Sequence, residues 1–225
     1  MSKRKFRNNN GFTLVELAVV LTCLALLSCL GMAALAQVKT SAAQAVCQDN
    51  LRRIGAAVFQ YAADHNGELV PCNMGAATNT WFFLLKPYLS PEGNYNDKTT
   101  IFACPDDPAP YKNNGYSAKC AFSYGYNNSA GDGKRLKEHT NQWYYQYPKK
   151  LTQVPPETAL FTEVKNKNDW MEWFVSDTSA KDGMLFPHQN EDGPAANILF
   201  IEGNVLSYSK YAMENIHQWK IWKKQ

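Results

Sequence analysis

Residues 11–36 read GFTLVELAVVLTCLALLSCLGMAALA, an apolar run that begins abruptly after a basic leader and carries one acid, Glu16, near its front edge. The run is long enough for the roughly 20 residues that a helical bilayer span needs. A carboxylate at the hydrocarbon boundary costs about 2.5 kcal/mol or more on insertion scales. A bare anchor would do better without it, so the chain must put Glu16 to use.

The rest of the composition fits a single span. Mean hydropathy is -0.43 despite the apolar run, so the segments downstream are markedly polar. They leave room for one domain of ordinary size with a core of its own. The formal charge of +3 is misleading, because Lys3, Arg4, Lys5 and Arg7 all sit in the leader. Without those four, 19 basic residues face 20 acidic ones, a net of -1. The basic balance therefore gives no argument for nucleic acid.

Basic residues ahead of an apolar run mark the cytoplasmic side, which places the C-terminal domain across the membrane. In a secretory signal the cleavage site follows the apolar core. Here the polar leader MSKRKFRNNNG comes first, and cutting at Gly11 would leave the apolar run on the mature chain.

Beyond the run, Cys47, Leu51, Ile54, Val58 and Tyr61 recur at steps of four and three, and no proline intervenes between Phe12 and Glu68. This spacing predicts one face of a helix, with Gln48, Asp49, Arg52, Arg53 and Gln60 on the opposite face. The helix should end at His65-Asn66-Gly67, where Asn and Gly suit the left-handed residues of a C-terminus. A continuous helix of that length measures roughly 80 Å.

From Leu69 onward the periodicity changes. TWFFLLKPYL (80–89) reads as a short helix closing on Pro87, while FSYGYNN, TALFTEV and NILFIEGNVLSYS read as strands. Glu202-Gly203 suits a tight hairpin turn inside the last of these. Residues 128–150 read as a surface loop or insertion, and Tyr211–Gln225 as a final helix. The expected fold is α+β, a long N-terminal helix packed on a small antiparallel sheet. Its parts are a leader (1–11), a transmembrane half-helix (12–36), an amphipathic half-helix (37–66) and a globular domain (67–225).

The run Gly11-Phe12-Thr13-Leu14-Val15-Glu16, with its basic leader and following apolar span, resembles the type IV prepilin signature shared by pilins and type II secretion pseudopilins. The resemblance implies a pilin-like fold. It implies cleavage by a prepilin peptidase between Gly11 and Phe12, then N-methylation of Phe12. Glycine before the cut suits this, since it brings no side chain into the protease. The resemblance also gives Glu16 a task in assembly: pairing with the amino terminus of a neighbouring mature subunit within a bundle of apolar helices, which offsets its burial and sets register.

The implied partners are the peptidase, other pilin or pseudopilin subunits, an inner-membrane assembly platform and membrane lipid. The implied location is the bacterial inner membrane, single pass, with the N-terminus cytoplasmic and the domain periplasmic, or a surface filament. CQDNLRRIGAAVFQYAADHNGELVP, FACPDDP and HQNEDGPAANILFIEGNV further resemble the pilin-like group with a C-terminal histidine to Asp-Gly motif. Here the interval from His188 to Glu202-Gly203 is longer than that motif's, and Glu replaces Asp.

The remaining candidate residues are weighed by chemistry. Cys23 and Cys29 lie in the apolar run and read as small packing residues. Cys47, Cys72, Cys104 and Cys120 fall in the exported part, where disulfides persist. Cys72, Cys104 and Cys120 flank the short helix and the next strand, so one bridge is expected among these three, with partners unassigned. Neither the cysteines nor His65, His139, His188 and His217 show paired zinc-ligand spacing, and Asp182, Glu191 and Asp192 read as solvated loop acids rather than calcium ligands. No metal site and no cofactor is expected.

His188 has no nucleophile or acid beside it in sequence from which to build a triad, so hydrogen bonding that secures its loop is the expected role. No catalytic residue is expected, and the chain is not expected to be an enzyme. The leading function is a structural filament subunit. The alternative is a minor pilin that binds DNA, polysaccharide or a secreted substrate through Trp143, Tyr144, Tyr145 and Tyr147, with Lys149 and Lys150 beside them. Aromatic stacking supports nucleic-acid binding, but the near-neutral mature charge argues against it.

Overall fold

The structure, a computed structural model, describes residues 13–71, 81–89, 101–112, 121–127, 132–137, 143–165, 172–173 and 183–215. Side chains are described at these positions except 29–37, 111–112, 121, 132–137, 143–148, 172–173 and 214–215. Helix α1 (Leu14–Asp64) runs through both of the compact units into which the chain divides, Met1–Ser41 and Ala42–Gln225.

In the first unit α1 opens on a reciprocal cap. Thr13 donates its backbone N–H and its hydroxyl to Glu16 Oε2, both at 2.8 Å, while the Glu16 N–H donates to Thr13 Oγ1 at 3.3 Å. Thr-x-x-Glu is the sequence form of this capping box, and it satisfies donors that a helix start leaves orphaned. Farther along, Thr22 and Ser28 donate to the carbonyls of Val19 and Leu24 on their own helix. Leu14, Val15, Leu17, Val19, Val20, Leu21, Leu24, Leu26 and Leu27 are exposed. Among the described residues no helix is long and apolar enough to cross a membrane; the span expected over 12–36 takes in positions whose side chains lie outside the description.

In the second unit the expected helical stripe is the core face. Cys47, Leu51, Ile54, Val58 and Tyr61 are all buried, and Asp49, Arg52, Arg53 and Gln60 are exposed opposite them. Gln48 departs from the expectation, for its amide reaches Asn197 Oδ1 at 3.2 Å. The helix closes where expected: Asn66 (φ 54°) and Gly67 (φ 80°) are left-handed, and the Gly67 N–H reaches back to the Ala62 carbonyl at 2.7 Å. That bond is the long closing bond of a Schellman end.

The stripe packs on a sheet built from β3 (Tyr124–Asn127), β6 (Ala159–Glu163), β7 (Glu172–Trp173), β9 (Gly193–Phe200) and β10 (Val205–Ser209), in the order β10-β9-β6-β3-β7. All pairs are antiparallel except β3 with β7. β8 (His188–Asn190) also pairs with β9. Since β10 already takes Ala195 on one edge, β8 and β6 lie in succession along the other. Tyr126, Phe161 and Leu199 are register partners and so share a sheet face. A Cβ on Gly55 would meet Leu199 Cδ1 at 3.1 Å, so this is the face that α1 covers. Beside α1 it holds an aromatic cluster, with Phe161, Phe102, Tyr126, Phe82 and Phe122 all 5.0–6.4 Å from Trp81.

α2 (Trp81–Leu85) passes into a 3-10 turn at Lys86–Tyr88, as the proline predicts. β1 (Tyr111–Lys112) pairs with β2 (Ala121–Phe122), and α3 (Lys210–Asn215) begins the expected final helix. Within the segment 128–150, expected as a surface loop or insertion, β4 (Asp132–Lys137) and β5 (Trp143–Pro148) form an antiparallel ribbon separate from the main sheet, with Leu136 opposite Tyr144. The turn residues of that segment suggest a loop, yet its aromatics favour strand pairing.

The hairpin between β9 and β10 is tight at Gly203, whose φ is +87° and whose missing Cβ would lie 3.1 Å from Phe59 Cε2. Gly203→Ala is expected to lower stability by about 1–2 kcal/mol, the cost of a left-handed non-glycine residue. Urea unfolding of the detergent-solubilised chain measures it, and a change near zero would mean that the turn flips at no cost.

Candidate functional site

The loop Ile101–Pro110 lies against α1. Asn50 donates to the Ala103 carbonyl at 3.3 Å, and a disulfide joins Cys104 to Cys47 with a Cα separation of 5.3 Å. The expected bridge is among Cys72, Cys104 and Cys120; of these Cys104 bonds instead to Cys47, the cysteine that opens the helical stripe, while Cys72 and Cys120 lie outside the described residues. The reason is topological, since the stripe aims Cys47 at the sheet face on which the 101–110 loop closes.

Three further groups meet the two sulfurs. Glu163 ends β6, and where the ladder with β9 stops at Thr162 and Ile198, its carboxylate takes over. Oε2 accepts the Asn197 backbone N–H at 2.7 Å, and Oε1 accepts the Asn197 side-chain amide at 3.2 Å. His188 opens β8 on the same edge of β9, so the end of β6 and the start of β8 face each other. His188 Nε2 lies 3.2 Å from Glu163 Oε1 and 3.4 Å from Cys104 Sγ. On the far side of the ring, Nδ1 lies 3.0 Å from Asp106 Oδ2. The side chains of His188 and Glu163 are fully buried, while Asp106 is about a quarter exposed.

Both ring nitrogens thus face carboxylate oxygens, an arrangement that suits an imidazolium donating to each. Burial alone would lower the pKa of His188, but hydrogen bonds and charge from Glu163 and then Asp106 outweigh it and hold the pKa above its ordinary value. The stabilisation from this contact is fully present below the unfolded value of about 6.5. It is lost as pH rises through the higher folded value.

Hydrogen bonding that secures its own loop is the expected role of His188; the structure instead places it in strand β8, with its ring nitrogens on Glu163 of β6 and Asp106 of the 101–110 loop, two acids that its spacing in the sequence does not reveal. Cys104, His188 and Asp106 stand in the order of a nucleophile, base and acid. A sulfur in a disulfide has no thiolate to attack with, and Cys47, Cys104, Glu163 and His188 are all buried. In the disulfide form these three groups therefore lack a nucleophile. Two signals in the sequence pointed towards the cluster: a cysteine at the head of the buried stripe, and an acid at the end of the apolar strand ALFTE.

The other candidate residues are placed as follows. Glu16 caps its own helix. Glu191 and Asp192 are exposed in the turn after β8, where the Asp192 N–H donates to Asn190 Oδ1. Gly11, Phe12 and Asp182 lie outside the described residues, as do the side chains of Trp143–Tyr147, on which the binding-module alternative rests.

Residues 6–28 match the prokaryotic N-terminal methylation motif. The match contains Gly11, Phe12 and Glu16, and it is consistent with a type IV prepilin or pseudopilin-like chain. With the long helix and antiparallel sheet, it defines a pilin-like α+β protein. Neither the curated proteins nor the solved structures yield a match.

Proposed function

We propose that the chain is a structural subunit of a type IV pilus-like or type II secretion filament. Prepilin peptidase cuts it between Gly11 and Phe12 and methylates the Phe12 amine. The mature subunit is held in the inner membrane by the first half of α1 and enters the filament through that helix. The observation that carries this reading is the methylation motif over residues 6–28.

The chemistry of the helix supports it. The apolar side chains from Leu14 to Leu27 are exposed in the single chain, and lipid or neighbouring helices would cover them. Thr22 and Ser28 return their hydroxyls to backbone carbonyls, so neither asks for water inside hydrocarbon. Glu16 holds Thr13, which cleavage would make the second residue of the mature chain. The carboxylate is thus kept close to the new amino terminus, where pairing with a neighbour's ammonium would fix register.

Replacing Gly11 with a bulky residue such as Leu is expected to leave nearly all of the chain full-length in membranes. Immunoblotting of membrane fractions reads this directly. Normal mature protein from the variant would sink the proposal.

A further inference from the structure

The buried cluster has a second chemistry that its disulfide conceals. Cys47 Sγ, Cys104 Sγ, Glu163 and His188 each offer one ligand atom, and the four atoms all lie within 4.8 Å of one another. They come from α1, the 101–110 loop, the end of β6 and the start of β8, which is why no local ligand spacing appears in the sequence. We propose that in the dithiol state these four side chains bind one zinc ion in a closed tetrahedral site, and that the disulfide is the metal-free alternative of the same cluster.

The distances fit. Bond lengths of about 2.3 Å to sulfur and about 2.0–2.1 Å to nitrogen and oxygen, at the tetrahedral angle, separate sulfur from nitrogen by about 3.5 Å and nitrogen from oxygen by about 3.4 Å. The corresponding distances are 3.4 Å from Cys104 Sγ to His188 Nε2 and 3.2 Å from Nε2 to Glu163 Oε1. The two sulfurs must part to about 3.8 Å once the bond between them is broken, within a cluster whose four ligand atoms all lie inside 4.8 Å.

The supporting groups fit as well. Asp106 holds the Nδ1 side of the ring at 3.0 Å and aims Nε2 at the cluster, the carboxylate and histidine relay that orients zinc-bound imidazoles. The two Asn197 donors fix the Glu163 carboxylate. Two thiolates, an imidazole and a carboxylate favour zinc over calcium or magnesium, which prefer oxygen throughout. Burial of all four ligands leaves no open coordination position, the mark of a structural rather than a catalytic site.

The chemistry balances with an external dithiol as reductant. It gives two electrons and two protons to the Cys47–Cys104 bond and itself becomes a disulfide. Zinc then replaces the two thiol protons and the proton on His188 Nε2, all of which leave to water.

The test uses the full chain in detergent, carrying Cys23→Ser, Cys29→Ser, Cys72→Ser and Cys120→Ser to remove the four competing cysteines. It is reduced anaerobically with a phosphine, mixed with zinc, desalted and assayed for metal. One zinc per chain is expected in the dithiol form and none in the disulfide form. Cobalt in place of zinc should show the d–d absorption of a tetrahedral ion together with thiolate charge transfer. Cys47→Ser with Cys104→Ser should abolish uptake. The near-isosteric Glu163→Gln should weaken it at least about tenfold.

Near-UV circular dichroism keeps the outcome decisive where reduction loosens the fold, because zinc should then restore the signal. Any of four results overturns the proposal: a folded dithiol form that takes up no zinc, an unfolded one that zinc fails to restore, uptake that survives loss of both cysteines, or unchanged affinity in Glu163→Gln.

Discussion

Replacing Cys104 with serine is expected to lower the stability of the oxidised protein by about 4 kcal/mol in the chain-entropy account of disulfides. Cys47 and Cys104 are 57 positions apart, so their bond removes much of the freedom of the unfolded chain. The same bond holds the 101–110 loop on α1, and with it the Asp106 carboxylate beside His188. Denaturant unfolding of the full chain in detergent, followed by near-UV circular dichroism, gives the number. Cys47→Ser should match Cys104→Ser, and the double variant should be no worse than either. A loss below about 1 kcal/mol would mean that the cysteines contribute packing alone.

His188→Ala is expected to cost a similar amount, about 3–5 kcal/mol, because it strips the cationic partner from a buried carboxylate. Glu163 keeps its two Asn197 donors but loses its counter-charge. Adding Glu163→Gln removes that charge and should recover part of the loss, so the two substitutions should be strongly non-additive. In the disulfide form His188→Ala should also flatten the decline in stability as pH rises above about 6.5, the unfolded value. Additive losses with an unchanged pH profile would show that His188 contributes only volume.

Much of the fold is legible in the sequence because its signals are local. The stripe from Cys47 to Tyr61, the Asn66-Gly67 helix end, the proline that closes α2 and the Glu202-Gly203 turn each depend on a few neighbouring residues. The β4–β5 ribbon is harder to read, since its glycines and polar residues suggest a loop while its aromatics pair across strands. The Cys47–Cys104 bond and the cluster around it cannot be assembled from the sequence, although the cysteine heading the stripe and the acid closing ALFTE mark two of its members. Their members span positions 47 to 188, and only the succession of β6 and β8 along one edge of β9 brings Glu163 and His188 together. Gln48 teaches the same lesson on a small scale: helical spacing puts it on the polar face, and Asn197 draws it towards the sheet.

Glu16 changes most between the two readings. In the sequence it is an acid at the edge of an apolar run; in the folded chain it closes a capping box with Thr13. Its task in a filament needs a second subunit, yet the cap already places its carboxylate near the end that processing would create.

Mass spectrometry of the chain extracted from membranes tests the central claim most directly. The filament-subunit account predicts a mature protein that begins at Phe12, carries one methyl group on its amino terminus and retains the whole apolar run. A membrane-extracted chain with its leader intact, or one cut after the apolar run, would contradict it.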